Sequence, residues 1–283
     1  MIDRKIIVNR KLVFFDIDGT LLNSNKKINE STIKAIEDLK EKGFVFCVAT
    51  GRGLTEGILE IAKVAKLNGY LVLGNGNFVW DLQDEKLYTI GWPLSIEVLN
   101  EFHQLAKKHK RQLNLFFQDG TIKSYYFGND ISEEIKDCNF YIAGPSVYNY
   151  SDISEIEEDF QKPIMHISLK AEPEVIKKSY PILKELDNKK LAQISNVFNI
   201  YVEAESYGIS KWTGVQFVQN KTNISNENTY AFGDSFNDKI LLENVGHSVC
   251  MGNGENQIKK IAKTTIGSND SDAIAEFLYS IID

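Results

Sequence analysis

Two aspartates directly follow a short apolar run near the amino end of the chain. Leu12 to Phe15 is apolar, and Asp16 and Asp18 come next, ahead of Gly19. The run is typical of a buried parallel strand, and residues two apart in an extended chain point to the same side. Two neighbouring acids repel each other unless a cation or a shared proton compensates. The pair therefore indicates a metal site, although Asp and Gly also dominate ordinary turns.

A second apolar run, Phe44 to Ala49, ends at Thr50, Gly51 and Arg52. The Thr50 hydroxyl and nearby amides can bind an anion, and Gly51 lets the backbone come close to it. The helix predicted to begin near Leu54 points its partly positive amino end at the same place. A plain strand–turn–helix junction has the same pattern, so this segment alone leaves both interpretations open.

A third apolar run, beginning at Thr229, ends at Asp234, with Asn237 and Asp238 close behind. Hard cations such as Mg²⁺ prefer oxygen ligands, and carboxylates from different strand ends supply them. Asp238 could instead cap the helix that follows. Capping would leave Asp234 unexplained at the end of its strand, so the segment favours a cation site.

Lys211 follows the apparent strand Asn199 to Glu203. A single lysine is usually a solvated surface charge. It becomes a candidate here because the other segments offer no monodentate cation for a phosphate group.

These segments, in this order, resemble the four motifs of the haloacid dehalogenase superfamily of phosphotransferases. The resemblance runs from about residue 11 to the carboxyl end, with the middle third similar in layout only. Trp212 and Asn77 stand where the Cof-type branch more often has Gly and Ala, and neither change removes a reacting group. The segments similar to that branch are Asp16–Thr20, Ala49–Arg52, Gly74–Asn77, Lys211, Gly233–Asp238, Val249–Gly254 and Ser268–Asp272.

The resemblance implies a mechanism and a role for each motif residue. Asp16 is expected to be the nucleophile and Asp18 the general acid and base, with Thr50 and Lys211 completing the catalytic set. The expected cofactor is Mg²⁺, held by Asp16, the backbone carbonyl of Asp18, Asp234 and Asp238. Asn253 is expected to lie just behind these groups. The expected phosphate-binding residues are Asp16, Gly19, Thr50, Gly51, Lys211 and Asn237.

The arrangement of apolar runs predicts an α/β protein with an inserted domain. Residues 1–82 and 206–283 alternate strands and helices, which is typical of a Rossmann-like parallel sheet. Residues 83–205 contain a predicted β-hairpin over 113–126 and further strand and helix patterns, which indicate an α+β insert after the third core strand. The resemblance identifies this insert as a cap of type IIB.

Composition excludes several classes of protein. The net charge of −7 argues against a nucleic-acid-binding surface. Cys47, Cys138 and Cys250 form no Cys-x-x-Cys pair, so neither a disulfide framework nor a zinc site is indicated. None of the four histidines, His166 among them, has the spacing of a metal ligand. No signal peptide or membrane-length apolar run is found, and we expect a cytoplasmic protein that does not bind membranes.

The resemblance implies a Mg²⁺-dependent phosphomonoester hydrolase that acts on small phosphorylated metabolites through an aspartyl-phosphate. Sugar phosphates are the first expectation, and nucleotide or cofactor phosphates the next. Two alternatives stay open. A phosphomutase or phosphotransferase would return the phosphoryl group to a second hydroxyl, and a non-catalytic regulator would only bind the phosphorylated ligand. The sequence does not give the oligomeric state.

Overall fold

A computed structural model describes residues 10–128, 151–197 and 199–282. Its larger sheet has eight strands in the order β13-β12-β11-β1-β2-β3-β4-β5. Neighbours from β13 to β3 are parallel, and β4 and β5 continue the sheet as antiparallel strands. The strands are β1 (Lys11–Phe15), β2 (Phe44–Ala49), β3 (Tyr70–Leu73), β4 (Phe78–Asp81), β5 (Lys86–Thr89), β11 (Thr229–Gly233), β12 (His247–Cys250) and β13 (Thr264–Thr265).

Both faces of this sheet are covered, as the continuous apolar runs predict. Successive residues of a strand point to opposite faces. Val13 and Phe15 therefore join one buried cluster, whereas Leu12 and Phe14 join another on the opposite face. The helices of this domain are α1 (Glu30–Lys40), α2 (Glu56–Val64), α6 (Lys211–Thr222), α7 (Lys239–Asn244), α8 (Asn256–Ile261) and α9 (Ala273–Ser280). The predicted α/β class is confirmed.

The cap is built on an antiparallel sheet of five strands in the order β7-β6-β8-β10-β9. Its apolar side chains form a cluster of their own with the long helices of the insert. The predicted hairpin is present as β6 and β7. The elements are α3 (Ile96–His109), β6 (Gln112–Phe117), β7 (Ile122–Tyr126), α4 (Ile156–Asp159), β8 (Ile164–Lys170), α5 (Pro173–Asn188), β9 (Ala192–Val197) and β10 (Tyr201–Ser206).

We expected the insert to begin at residue 83, after the third core strand. The strand pairing places the end of the core sheet later than that. β4 pairs with β3 and β5 pairs with β4, so the core sheet continues to Thr89 before the chain enters the cap. The run Phe78–Asp81 is short and follows a glycine-rich turn. The sequence pattern therefore did not predict it as a core strand. The chain leaves the cap after β10, where the Ser206 hydroxyl donates to the backbone carbonyl of Trp92. The two connections between core and cap are therefore tied together.

Two further expectations concern cysteines and membranes. Cys47 and Cys250 are buried free thiols, and Cys138 lies outside the described residues. Across the ranges given above, no helix is long and apolar enough to cross a membrane.

Candidate active site

The site forms where three parallel strands end side by side. β1 lies between β2 and β11, so their carboxyl ends bring Asp16, Thr50 and Asp234 to one edge of the sheet. The amide of Asp16 donates to the Phe232 carbonyl, and the amide of Thr50 donates to Val72, both at 2.9 Å. Backbone hydrogen bonds thus fix the position of each side chain, as the sequence pattern predicts.

Lys211 is fully buried and joins two of the acids. Its Nζ lies 2.6 Å from Asp16 Oδ1 and 2.6 Å from Asp238 Oδ1. Burial by itself lowers the pKa of a lysine, but the charges of Asp16 and Asp238 outweigh it and raise the pKa of Lys211. The lysine is the first residue of α6, where Ser210 and Thr213 form a capping box. The structure therefore excludes the surface interpretation of Lys211.

Asp238 uses both of its carboxylate oxygens within the protein. Oδ1 accepts from Lys211, and Oδ2 accepts from the backbone amides of Asp234 at 3.0 Å and Ser235 at 3.1 Å. The sequence left two interpretations of this residue, a metal ligand or a cap. Its side chain makes no capping hydrogen bond to the helix that follows, so capping does not account for it. Asp238 instead anchors both Lys211 and the turn that carries Asp234.

Asp16 and Asp234 are buried acids close to Asp238, and the single cation Lys211 is shared between Asp16 and Asp238. Burial, followed by the charges of nearby carboxylates, raises the pKa of Asp234 to about 8. Burial also raises the pKa of Asp16 to about 7, although Lys211 acts in the opposite direction. Oxygens of Asp16, Asp234 and Asp238 lie within 4.8 Å of one another. An all-oxygen set with this excess of negative charge fits Mg²⁺.

Gly19 allows the loop after β1 to close against Asp234. Its φ of +82° is rarely adopted by L residues, and a Cβ there would overlap the Asp234 carboxylate. Thr20 Oγ1 donates to Asp234 Oδ1 at 3.0 Å, and Asn253 Nδ2 donates to the Gly19 carbonyl at 2.7 Å. Asn253 therefore supports the loop from behind, the place expected for it.

Asp18 is held by Arg52 through two hydrogen bonds. Arg52 Nε lies 2.9 Å from Asp18 Oδ2, and Nη2 lies 2.7 Å from Oδ1. Lys26 Nζ is also 3.5 Å from Oδ1. This bidentate contact orients the carboxylate at the edge of the cavity. The sequence placed Arg52 in the second motif without assigning it this partner.

Thr50 and Asn237 lie on the same cavity as Asp16. Thr50 Oγ1 accepts from the Arg52 amide at 3.2 Å, which leaves its hydroxyl hydrogen for another acceptor. Ser235 Oγ donates to Asn237 Oδ1 at 2.7 Å and orients that side chain. The sequence-predicted residues Asp16, Asp18, Thr50, Gly51 and Asn237 all line the cavity.

The cavity lies between the core strand ends and the cap sheet and has a volume of about 140 Å³. Its cap side combines polar groups that are already hydrogen-bonded to one another with apolar walls. Asn114 Nδ2, for instance, donates to Ser168 Oγ at 2.9 Å. A ligand bound at Asp16 would therefore meet the cap. The cap residues that line the cavity are Asn114, Phe116, Ile122, Ser168, Val197, Tyr201 and Glu203.

Comparison with known proteins agrees with this geometry. The sequence profile of the haloacid dehalogenase-like hydrolases matches residues 13–278, nearly the whole chain. The chain belongs to this family. Curated relatives that match nearly the whole chain are phosphatases, and this haloacid dehalogenase-like hydrolase is a phosphatase.

Three similar proteins illustrate the relationship. Two are 5-amino-6-(5-phospho-D-ribitylamino)uracil phosphatases of Bacillus subtilis. One is 29% identical over 95% of this chain and 94% of its own, and the other is 26% identical over 94% and 96%. A solved subclass IIB sugar phosphatase of the superfamily has a TM-score of 0.79 and 21% identity, and covers 96% of this chain and 100% of that one. The last comparison shows the shared fold.

One buried cluster of this hydrolase was missed in the sequence. His166 on β8 lies opposite Glu205 on β10, and Glu203 projects from the same face as Glu205. All three are buried, and ligand atoms of the three lie within 4.8 Å of one another. Asn75 of the core donates one hydrogen bond to each glutamate. The spacing of Glu203 and Glu205 was the available signal, but their pairing with His166 depends on which cap strands are neighbours.

Asn75 reaches the cap from a tight turn between β3 and β4. Its φ is +50°, and it stands between Gly74 and Gly76. A Cβ at Gly76 would overlap the Ser210 carbonyl, so only glycine lets this turn pack against the residue before Lys211. The Gly-Asn-Gly-Asn stretch therefore connects the core to the cap glutamates.

Proposed function

We propose that this haloacid dehalogenase-like hydrolase is a Mg²⁺-dependent phosphatase of polyhydroxylated metabolites, with sugar phosphates as the first candidates. The proposed intermediate is an aspartyl-phosphate on Asp16. The observation that carries the proposal is the hydrogen bonding of the Asp16 carboxylate, which lines the cavity. Lys211 binds its Oδ1, whereas Oδ2 accepts no hydrogen bond from any described residue. An oriented carboxylate with one uncommitted oxygen suits a nucleophile.

In the first step, Asp16 Oδ2 attacks phosphorus and the bond to the ester oxygen breaks. Asp18 donates a proton to that departing oxygen, which would otherwise leave as an alkoxide. Both Asp18 oxygens accept from Arg52 in this structure. One of these contacts therefore opens when Asp18 takes up the proton that it donates, while the other keeps the carboxyl group oriented. Thr50 donates its hydroxyl hydrogen to a non-bridging phosphate oxygen, and Lys211 balances the charge on Asp16.

In the second step, Asp18 accepts a proton from a water molecule, and that water attacks phosphorus of the aspartyl-phosphate. The phosphorus–oxygen bond to Asp16 breaks, which releases inorganic phosphate and restores the carboxylate. Mg²⁺, held by Asp16, the Asp18 carbonyl and Asp234 with Asp238 close by, would reduce the repulsion between the nucleophile and the phosphate dianion.

The substrate class follows from the cap side of the cavity. Asn114, Ser168 and Glu203 offer partners for hydroxyl groups, while Phe116 and Tyr201 offer apolar contact to a ring. This combination suits a phosphorylated polyol or sugar, with or without an attached ring. The ribitylaminouracil phosphate named for the two Bacillus subtilis relatives contains both parts and belongs in the first test.

The test is phosphate release from a panel of sugar, polyol and nucleotide monophosphates with Mg²⁺, with Asp16→Asn as the control. We expect stoichiometric phosphate and alcohol from at least one ester, and no turnover by Asp16→Asn. Conversion of an ester to its positional isomer without phosphate release would instead identify a mutase. Binding without any reaction would contradict the enzymatic proposal.

A further inference from the structure

Glu203 places a carboxylate on the cap side of the cavity that Asp16 also lines. It is at the centre of β10, is 8% exposed, and lines the cavity from the cap side. Its Oε2 accepts from Asn75 Nδ2 at 2.7 Å. Its Oε1 accepts no hydrogen bond from the residues the structure describes. Because Glu203 lines the cavity, a bound ligand can supply a donor to this oxygen.

The neighbours of Glu203 include a second carboxyl group and a histidine. Glu205 binds the same Asn75 amide group, and His166 Nδ1 lies 3.4 Å from Glu205 Oε1. Burial lowers the pKa of His166, but the nearby carboxylates of Glu205 and Glu203 outweigh it and raise that pKa. His166 carries at most one positive charge against the two carboxyl groups, and burial raises the pKa of Glu203.

The cavity offers little positive charge to oppose the Glu203 carboxylate. Among the described residues that line the cavity, Arg52 is the only cationic one, and it is already bound to Asp18. On the cap side of that lining, Glu203 is the only charged residue. A second anionic group on a substrate would therefore meet the Glu203 carboxylate with no cation in this lining except the paired Arg52, whereas a hydroxyl or ammonium group would supply a donor.

We propose that Glu203 selects substrates by their leaving group, favouring hydroxyl and amine donors and opposing a second carboxylate or phosphate. This inference rests on the proposed phosphatase function and adds its substrate class: monophosphates whose remaining part is neutral or cationic. Asn75 acts as a positioning residue, because it holds Glu203 from the core side of the cavity.

Three esters with a common phosphorylated end test the inference. Away from the phosphate, glucosamine 6-phosphate carries an ammonium group at C2, glucose 6-phosphate carries no charge, and 6-phosphogluconate carries a carboxylate at C1. For the wild-type enzyme we expect kcat/KM to fall in that order, by about tenfold or more from the first to the last. Equal kcat/KM values for the three esters would overturn the inference without any variant.

Glu203→Gln keeps the side-chain shape and removes the charge. We expect the ratio of kcat/KM for glucosamine 6-phosphate to that for 6-phosphogluconate to fall about tenfold. Glu158→Gln is the matched control, because Glu158 is an exposed cap residue outside the cavity. It removes the same charge and should leave the ratio unchanged.

The outcomes separate the inference from the function on which it rests. An unchanged ratio in a folded Glu203→Gln variant, or an equal change in Glu158→Gln, would overturn the role of Glu203. Absence of phosphate release by the wild type from these esters and from the whole panel would overturn the phosphatase proposal itself. Should Glu203→Gln not fold, Glu203→Asp retains the charge and should preserve the wild-type order.

Discussion

Arg52 holds the Asp18 carboxylate through two hydrogen bonds, at 2.9 and 2.7 Å. A guanidinium fork fixes both the distance and the plane of a carboxylate, which a lysine ammonium cannot do. The proposed proton donor is therefore positioned by the residue that ends the second motif, and the two motifs act as one unit at the cavity edge.

We predict that Arg52→Lys slows the hydrolysis of alkyl phosphates by about tenfold or more, because Asp18 loses its fixed orientation. 4-Nitrophenyl phosphate should be affected much less, since its leaving oxygen needs little protonation. Steady-state kcat/KM with both esters checks this. Equal losses for the two esters would show that Arg52 acts on binding rather than on proton transfer.

Lys211→Met should destabilise the protein strongly. It would leave Asp16 and Asp238 buried without their common cation, and breaking a buried ion pair costs about 3–5 kcal/mol. Urea denaturation with excess EDTA measures the loss of unfolding free energy. Lys211→Met combined with Asp238→Asn should recover part of this stability and no activity. A loss below about 1 kcal/mol would contradict the pairing, because that is typical of surface ion pairs.

The response to Mg²⁺ should depend on pH. In the metal-free protein the pKa of Asp16 is about 7 and that of Asp234 about 8, against an ordinary value of 3.8. Between the ordinary value of 3.8 and the raised values of about 7 and 8, the folded state binds more protons than the unfolded state, so its stability falls as pH rises. Mg²⁺ binds the deprotonated acids and should reverse this fall.

Thermal melts with and without Mg²⁺ should therefore show a larger increase in Tm at about pH 8.5 than at about pH 6. Calorimetry in two buffers of different ionisation enthalpy should detect proton release on binding at the lower pH. An increase in Tm that is independent of pH would show that the two carboxyl groups are already ionised without metal.

Gly19→Ala should weaken Mg²⁺ binding, because the added Cβ would displace the Asp234 carboxylate. Gly208→Ala is a matched control. Gly208 has nearly the same φ, +84° against +82°, but has open space at the Cβ position. Both variants carry the same backbone strain, about 1 kcal/mol. Only Gly19→Ala should raise the Mg²⁺ concentration needed for half-maximal activity, and equal effects of the two variants would contradict the contact.

The site residues that the sequence predicted are those whose positions follow from the local pattern of apolar and polar residues. Asp16, Thr50 and Asp234 each end an apolar run, and parallel strand ends meet at one edge of a sheet. Lys211 needed the resemblance, because its own sequence context is that of a surface charge. The His166–Glu205 pair could not be predicted, since it depends on the strand order of the cap. The contact of Asn75 with Glu203 depends in addition on how the cap meets the core.

The chain enters and leaves the cap through two neighbouring segments, joined where Ser206 donates to the Trp92 carbonyl. The cap has an apolar interior of its own, and the core sheet is complete without it. The cap is therefore joined to the core by two neighbouring chain segments that are hydrogen-bonded to each other. Exchanging it for another would leave the path of the catalytic strands unchanged, so bond-breaking chemistry and choice of substrate can diverge independently.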